Sequence, residues 1–143
     1  MIENQNKELL TIISPAYNEA ENLDELYSRI LNATENLNLE IEIIYVNDGS
    51  NDNTIEVINR QSENDGRITV IDLSRNFGKE IALTAGLDHA SGDAVIVIDS
   101  DLQDPPEVIP QLVEKWRDGN DVVNAKRIKR KGEGLLKKIT SYT

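Results

Sequence analysis

The chain has 143 residues, with 15 Lys and Arg against 26 Asp and Glu, so its formal net charge is −11. It has no cysteine and a single histidine, His89, which excludes disulfide scaffolds, thiolate-bound metals and sites built from several histidines. No apolar run reaches the roughly 20 residues of a membrane-spanning helix, and the N-terminus lacks the pattern of a signal peptide.

Strands and helices are predicted to alternate along the chain. Continuous apolar runs rich in β-branched residues are typical of strands covered on both faces of a parallel sheet. The predicted strands are Leu9–Ser14, Ile41–Val46, Ile68–Leu73, Ala94–Ile98 and a weaker Asp121–Ala125. Between them, stripes of mainly apolar residues at helical spacing run from Leu23 to Leu37, Ile81 to His89 and Val108 to Trp116, with a weaker stripe from Thr54 to Gln61. This order predicts an α/β domain with a mostly parallel sheet flanked by helices.

The C-terminal part of the chain is basic. Between Lys126 and Lys138 lie seven basic residues and one acidic residue, a net +6, which leaves −17 for the rest of the chain. We name residues 126–138 the basic segment. It is suited to a phosphate or an anionic membrane surface, or it is simply solvated, whereas the acidic body argues against nucleic acid. The spacing of Leu135, Leu136 and Ile139 predicts the start of an amphipathic helix, within residues 126–143.

Unusual polar sequences follow the first four predicted strands. They are PAYNE at 15–19, NDGS at 47–50, SRNFGK at 74–79 and DSDLQD at 99–104. Each alone is also typical of an ordinary turn or helix start. In open α/β sheets, however, ligands bind beyond the carboxyl ends of the strands, so the fold would bring all four to one crevice.

The sequence Asp99-Ser100-Asp101 is the strongest candidate for chemistry. The two carboxylates point the same way if the chain stays extended there, and they repel each other unless a cation lies between them. Oxygen ligands favour Mg²⁺ or Mn²⁺, and Gln103 offers a further oxygen. The alternative is a solvated turn before a helix. No P-loop or G-x-G-x-x-G sequence is present, so a nucleotide would have to be held by acidic and amide side chains and by a metal.

Together, the four motifs resemble family-two glycosyltransferases of the GT-A (Rossmann-like) fold. The branch that they resemble uses polyprenyl-phosphate acceptors and includes dolichol-phosphate mannose synthases and bactoprenol glucosyltransferases. SRNFGKE at 74–80 and DSDLQDPPE at 99–107 look most like the bacterial glucosyltransferase form. The similarity runs from about Leu10 to the end of the chain.

The resemblance implies a set of site residues. The implied nucleotide-binding residues are Pro15, Tyr17, Glu19, Asp48, Gly78, Lys79 and Asp99. The implied metal ligands are Asp99, Asp101 and Gln103, for Mg²⁺ or Mn²⁺. Arg127 would lie near the diphosphate or the acceptor phosphate.

The resemblance also implies an activity, which is the inverting, metal-dependent transfer of a hexose from a nucleotide sugar, UDP-glucose, to a polyprenyl phosphate. Members continue well past this length, often into membrane helices. Residues 1–143 are therefore expected to be the nucleotide-sugar-binding part, soluble on its own and poor at transfer, with any general base beyond residue 143. The full-length protein would work at the cytoplasmic face of the membrane, which the basic segment would help it to contact.

Two other functions are compatible with the residues. A Mg²⁺-dependent phosphatase or phosphotransferase also places an Asp-x-Asp pair at a strand end, with one Asp as nucleophile. A non-catalytic, receiver-like α/β module would bind Mg²⁺ in an acidic crevice without a nucleotide. An acyl-phosphate trapped on Asp99 would favour the first function, and stabilisation by UDP separates the second from a glycosyltransferase.

Overall fold

The fold is an α/β sandwich around one six-stranded sheet. The structure, a computed structural model, describes residues 7–120 with their side chains and residues 122–128 and 134–141 by their backbone. The strands are β1 (Leu9–Ala16), β2 (Glu40–Asn47), β3 (Ile68–Asp72), β4 (Ala94–Val97), β5 (Val122–Ile128) and β6 (Gly134–Ser141). The helices are α1 (Leu23–Thr34), α2 (Thr54–Asn64), α3 (Lys79–His89) and α4 (Ile109–Arg117), the last preceded by a 3₁₀ turn, Pro106–Val108. The predicted alternation is confirmed through β5.

The sheet has the strand order β3-β2-β1-β4-β6-β5, and its first four strands are parallel. The chain moves outward from β1 to β3 and then crosses back to place β4 on the other side of β1. The strand order therefore reverses between β1 and β4, where open sheets of this kind form a ligand crevice. The predicted mostly parallel sheet is confirmed.

Two apolar layers cover the faces of the sheet. Leu10, Ile12 and Ile43 belong to a fully buried cluster with α1, α2 and α4, and Ile13 and Ile44 face α3 on the other side. Burial on both faces explains why these strands are continuous apolar runs. Among the helices that the structure describes, none is long and apolar enough to cross a membrane.

The prediction of an amphipathic helix near the end of the chain is wrong. Residues Gly134–Ser141 form β6, which pairs antiparallel with β4 and β5. The free edge of β4 offers unpaired backbone groups, and an added strand satisfies them. The spacing of three apolar residues carries no information about that distant edge. The side chains of the basic segment lie outside the described residues.

Candidate functional site

A pocket of about 170 Å³ opens at the carboxyl ends of β1, β2 and β4, beside the first residue of α3. The residues that line it are Pro15, Ala16, Tyr17, Glu19, Asp48, Lys79, Asp99, Ser100 and Asp101. Seven of these were predicted as site residues from the sequence. The expected convergence of the strand-end motifs on one crevice is therefore observed.

Three predicted site residues stand apart from that lining. Gly78 contributes its backbone, because its N–H donates to Asp48 Oδ2 at 3.1 Å. Gln103 is exposed, and its N–H donates to Asp101 Oδ1 at 3.1 Å across Leu102, which has a positive φ of 64°. The side chain of Arg127 lies outside the described residues.

The loops that follow β1 and β2 are held to each other by hydrogen bonds. Asn18 has a left-handed backbone (φ 54°), and its Oδ1 accepts from the N–H of Asn51 at 2.7 Å. Ser50 Oγ accepts from the N–H of Asn18 at 2.9 Å, and Thr54 Oγ1 accepts from the N–H of Glu19 at 3.0 Å. These contacts fix the backbone between Tyr17 and Glu19 at the pocket wall.

Asp48 joins the end of β2 to the loop that precedes α3. It is buried, its Oδ1 accepts from the N–H of Phe77 at 2.8 Å, and its Oδ2 accepts from the N–H of Gly78. The resemblance implies a contact between Asp48 and a nucleotide base. A carboxylate has about four acceptor sites, so two amide bonds leave it able to accept a further donor from the pocket.

A buried pair of serines aligns the Asp-x-Asp sequence. Ser100 Oγ donates to the carbonyl of Pro15 at 2.9 Å and lies 2.6 Å from Ser14 Oγ. Since the Ser100 hydrogen is committed to Pro15, Ser14 is the donor between the two hydroxyls. Ser100 thus lies beneath the pocket with its neighbours Asp99 and Asp101 in the wall. Neither serine was predicted to have a role, and the one signal in the sequence was a polar residue at the end of a buried apolar run.

The pocket concentrates negative charge. The pKa of Glu19 is raised above its usual value, first by burial and then by the nearby carboxylates of Asp101, Asp52 and Asp99. A hydrogen bond from Asn22 Nδ2 to Glu19 Oε1 acts in the opposite direction. Carboxylates that disfavour each other's ionisation are suited to a cationic ligand.

Among the residues described with side chains, one cationic group contacts this cluster. Lys79 Nζ lies 2.6 Å from Asp99 Oδ2, with the Lys79 side chain 63% exposed and that of Asp99 29% exposed. Asp101 lies in the same wall, and the described residues provide it with the amide of Gln103 but no ion pair. The two acidic residues of the Asp-x-Asp sequence therefore differ in their partners.

The donor set fits a divalent cation of the magnesium type. Mg²⁺ usually takes one or two protein carboxylates and completes its shell with water and substrate phosphates. Asp101, with Asp99 beside it, supplies that number. Within the described residues there is no group of three His, Cys, Asp or Glu that could enclose a metal. The arrangement suits a cation that arrives with a phosphate ligand.

Residues 11–141 match the family described as Glycosyl transferase family 2. The chain belongs to glycosyl transferase family 2. It is 48% identical over 132 residues to the bactoprenol glucosyl transferase of Shigella phage SfV, covering 92% of this chain and 43% of that protein. It is 51% identical over 132 residues to an uncharacterized glycosyltransferase of Synechocystis, covering 92% and 42%. The chain thus spans about two fifths of the length of these relatives.

Solved glycosyltransferases share the fold. The mannosyltransferase PcManGT from Pyrobaculum calidifontis, in complex with GDP-Man and Mn²⁺, is 28% identical with a TM-score of 0.70, covering 87% of this chain and 36% of that one. S. aureus TarS 1–349, in complex with UDP-GlcNAc, is 25% identical with a TM-score of 0.68, covering 88% and 36%. The predicted GT-A fold and family are confirmed, and family membership favours a glycosyltransferase over the phosphatase and the receiver-like module.

Proposed function

We propose that this domain binds a nucleotide sugar, UDP-glucose, for transfer of the hexose to a polyprenyl phosphate. One observation carries the proposal, which is that the ends of β1, β2 and β4 and the start of α3 bring seven predicted site residues to one pocket. The identity to bactoprenol glucosyl transferases supports the choice of sugar and acceptor. Solved relatives bind GDP-Man or UDP-GlcNAc, so the choice of UDP rests on the bactoprenol form of the motifs.

In this proposal the loop after β1 surrounds the nucleoside. Tyr17 is 43% exposed and therefore has a ring free to contact a base. Pro15 and Glu19 lie beside it in the pocket wall and would face the base and ribose. Asp48 would accept a hydrogen bond from the base with its remaining lone pairs.

The Asp-x-Asp wall is proposed to face the diphosphate. Asp101 and Asp99 would hold a divalent cation, with Gln103 as a further oxygen donor on the same loop. Bound there, Mg²⁺ or Mn²⁺ would offset the negative charge that develops on the leaving diphosphate. The complex of PcManGT with Mn²⁺ supports a divalent ion. Gly78 and Lys79 would approach the diphosphate from the start of α3, and Arg127 would lie near it or near the acceptor phosphate.

The acceptor phosphate is proposed to attack the anomeric carbon from the face opposite the nucleotide, which gives inversion. A phosphate is already anionic near neutral pH, so it needs less help from a general base than a sugar hydroxyl does. A lipid acceptor places the whole protein at a membrane, at its cytoplasmic face, and the basic segment would help to hold it there. Since this chain spans about two fifths of its relatives, we propose that it binds donor but transfers poorly alone.

The test compares this chain with the full-length enzyme of phage SfV. Each is incubated with radiolabelled UDP-glucose or GDP-mannose, Mn²⁺ and undecaprenyl phosphate, and label in the lipid fraction is counted. We expect the phage enzyme to transfer glucose, and the chain to bind UDP-glucose in calorimetry but transfer about 100-fold more slowly, because acceptor positioning is incomplete. Transfer by the chain at the rate of the phage enzyme would refute the proposal that the chain transfers poorly alone. Failure to bind any nucleotide sugar would refute the function.

A further inference from the structure

We propose that Lys79 is the counter-ion of Asp99 in the donor-free site and that it exchanges Asp99 for the donor's diphosphate when cation and nucleotide bind. The inference rests on the proposed function and deepens it. It makes Lys79 a residue that adds to the coupling between the affinity for the cation and the affinity for the nucleotide.

The geometry of the pair is that of a contact which can be broken. The 2.6 Å separation is a direct ion pair, but the Lys79 side chain is 63% exposed. A lysine is a point charge on a flexible four-carbon stem, and an exposed one gains little from staying in a single place. The ammonium can therefore leave Asp99 without a large loss of packing.

The main chain that carries Lys79 is, by contrast, held in place. Lys79 is the first residue of α3, and the preceding residue, Gly78, donates its N–H to buried Asp48. Phe77 donates to the other oxygen of the same carboxylate. The backbone of Lys79 is thus fixed at the pocket, whereas its ammonium can move from one anion to another.

The charges around the pocket favour movement of the Lys79 ammonium when a cation binds. Among the described residues that line it are four carboxylates and one ammonium, that of Lys79. Asp48 is already bound by two amides and Glu19 by Asn22. A cation that binds Asp101 gains most by also taking Asp99, and its charge then repels the adjacent ammonium of Lys79 from that carboxylate.

Displacement leaves the ammonium without a partner unless another anion is present. A nucleotide diphosphate supplies one at the same edge of the pocket. Cation and nucleotide should therefore bind cooperatively, and the coupling must be equal in both directions because binding free energies are linked. Without nucleotide, Lys79 competes with the cation.

The experiment measures Mn²⁺ affinity from the electron paramagnetic resonance signal of free Mn²⁺, with and without saturating UDP. The proteins are the wild-type chain, Lys79→Met, Lys79→Arg and Arg75→Met. Arg75→Met is the matched control, because it removes the same charge from the loop that precedes Lys79. The Arg75 guanidinium lies 4.1 Å from the centre of the Phe77 ring. Thermal unfolding without ligand checks that each variant is folded.

We expect Lys79→Met to bind Mn²⁺ alone about fivefold more tightly, as removal of an adjacent unit charge predicts. The same variant should show a smaller gain in Mn²⁺ affinity on addition of UDP than the wild type does, because it lacks the part of the gain that comes from moving Lys79 to the diphosphate. Lys79→Arg should keep the gain, and Arg75→Met should change both affinities less than about twofold, because Arg75 does not line the pocket and the effect of a charge weakens with distance.

Two results would overturn the exchange. One is Mn²⁺ binding by Lys79→Met that is unchanged or weaker in the absence of UDP. The other is an equal effect of Arg75→Met, which would mean that overall charge alone is responsible. In either case a wild type that binds UDP with Mn²⁺ leaves the proposed function standing, whereas a wild type that binds neither overturns both.

Discussion

Gly49 lies where two loops of the site approach each other closely. Its φ is +70°, and a Cβ built there would lie 2.2 Å from the backbone nitrogen of Asn76 and 2.3 Å from the carbonyl carbon of Arg75. Both close contacts are to main chain, which cannot turn aside as a side chain can. Glycine at this position is therefore what allows Asp48 to reach the amides of Phe77 and Gly78.

Gly49→Ala should destabilise the domain by about 2 kcal/mol or more, since it combines a left-handed backbone with a backbone clash. Gly66→Ala is the matched control, because a Cβ there meets nothing within 4 Å. It should change the free energy of unfolding by less than about 1 kcal/mol. Urea denaturation measures both, and equal stability of the two variants would refute the packing described here.

Pocket residues could be predicted from the sequence when they directly follow a predicted strand. Glu19, Asp48 and Asp101 follow strands, and the parallel sheet brings strand ends together. Ser100 and Asn18 were not assigned roles, because their partners lie 85 and 33 residues away along the chain. The contact between Lys79 and Asp99 likewise depends on the angle at which α3 leaves its loop, which no local pattern encodes.

At the scale of elements, Asp65 joins α1 to the turn between α2 and β3. Its carboxylate accepts from Tyr27 of α1 and pairs with Arg67 at 2.8 Å, and its side chain is 9% exposed. The hydrogen bonds from Arg67 and Tyr27 hold the pKa of Asp65 well below its usual value, against the opposing effect of burial. The ionised carboxylate is therefore a stabilising link between elements.

Asp65→Asn should lower the free energy of unfolding by about 1–2 kcal/mol at pH 7, a range reduced because Arg67 is half exposed. A carboxyl group whose pKa is depressed by folding stabilises above its unfolded pKa, here the usual 3.8, and loses that effect as the pH falls. The difference between variant and wild type should shrink from pH 6 to pH 3 in urea denaturation. Glu25→Gln, which removes an exposed pair with Arg29, is the control. A stability difference between Asp65→Asn and the wild type that stays constant with pH would contradict this role of Asp65.

Element prediction succeeded where a pattern is local and failed where pairing is distant. The strands β1 to β4 are continuous apolar runs because helices bury both their faces, so the residue types alone indicate that these strands are buried. The last strand, β6, exists because β4 has an edge to be covered, and β4 lies about 40 residues earlier. The helix predicted from Val108 is α4, and the 3₁₀ turn at Pro106–Val108 that precedes it was not predicted.

For the whole molecule, the strand order positions the pocket. The strand order reverses between β1 and β4, and the pocket opens at the carboxyl ends of these parallel strands. The alternation of strands and helices predicted that edge of the sheet but not the strand order. The net charge of −11 has a separate consequence, since the protein as a whole attracts divalent cations. Stabilisation by Mn²⁺ alone is therefore weak evidence for a specific site, and the nucleotide must be part of any decisive test.

The most direct test of nucleotide binding is thermal unfolding with UDP, GDP or no nucleotide, each with and without Mn²⁺. A ligand that binds the native state raises the apparent stability. We predict a rise in Tm with UDP that requires Mn²⁺, exceeds the rise with GDP, and is absent in Asp101→Ala. Asp118→Ala, which removes an exposed carboxylate outside the pocket lining, should respond as the wild type does. A wild type that UDP and Mn²⁺ leave unchanged, or an Asp101→Ala variant that they stabilise equally, would contradict nucleotide-sugar binding at this pocket.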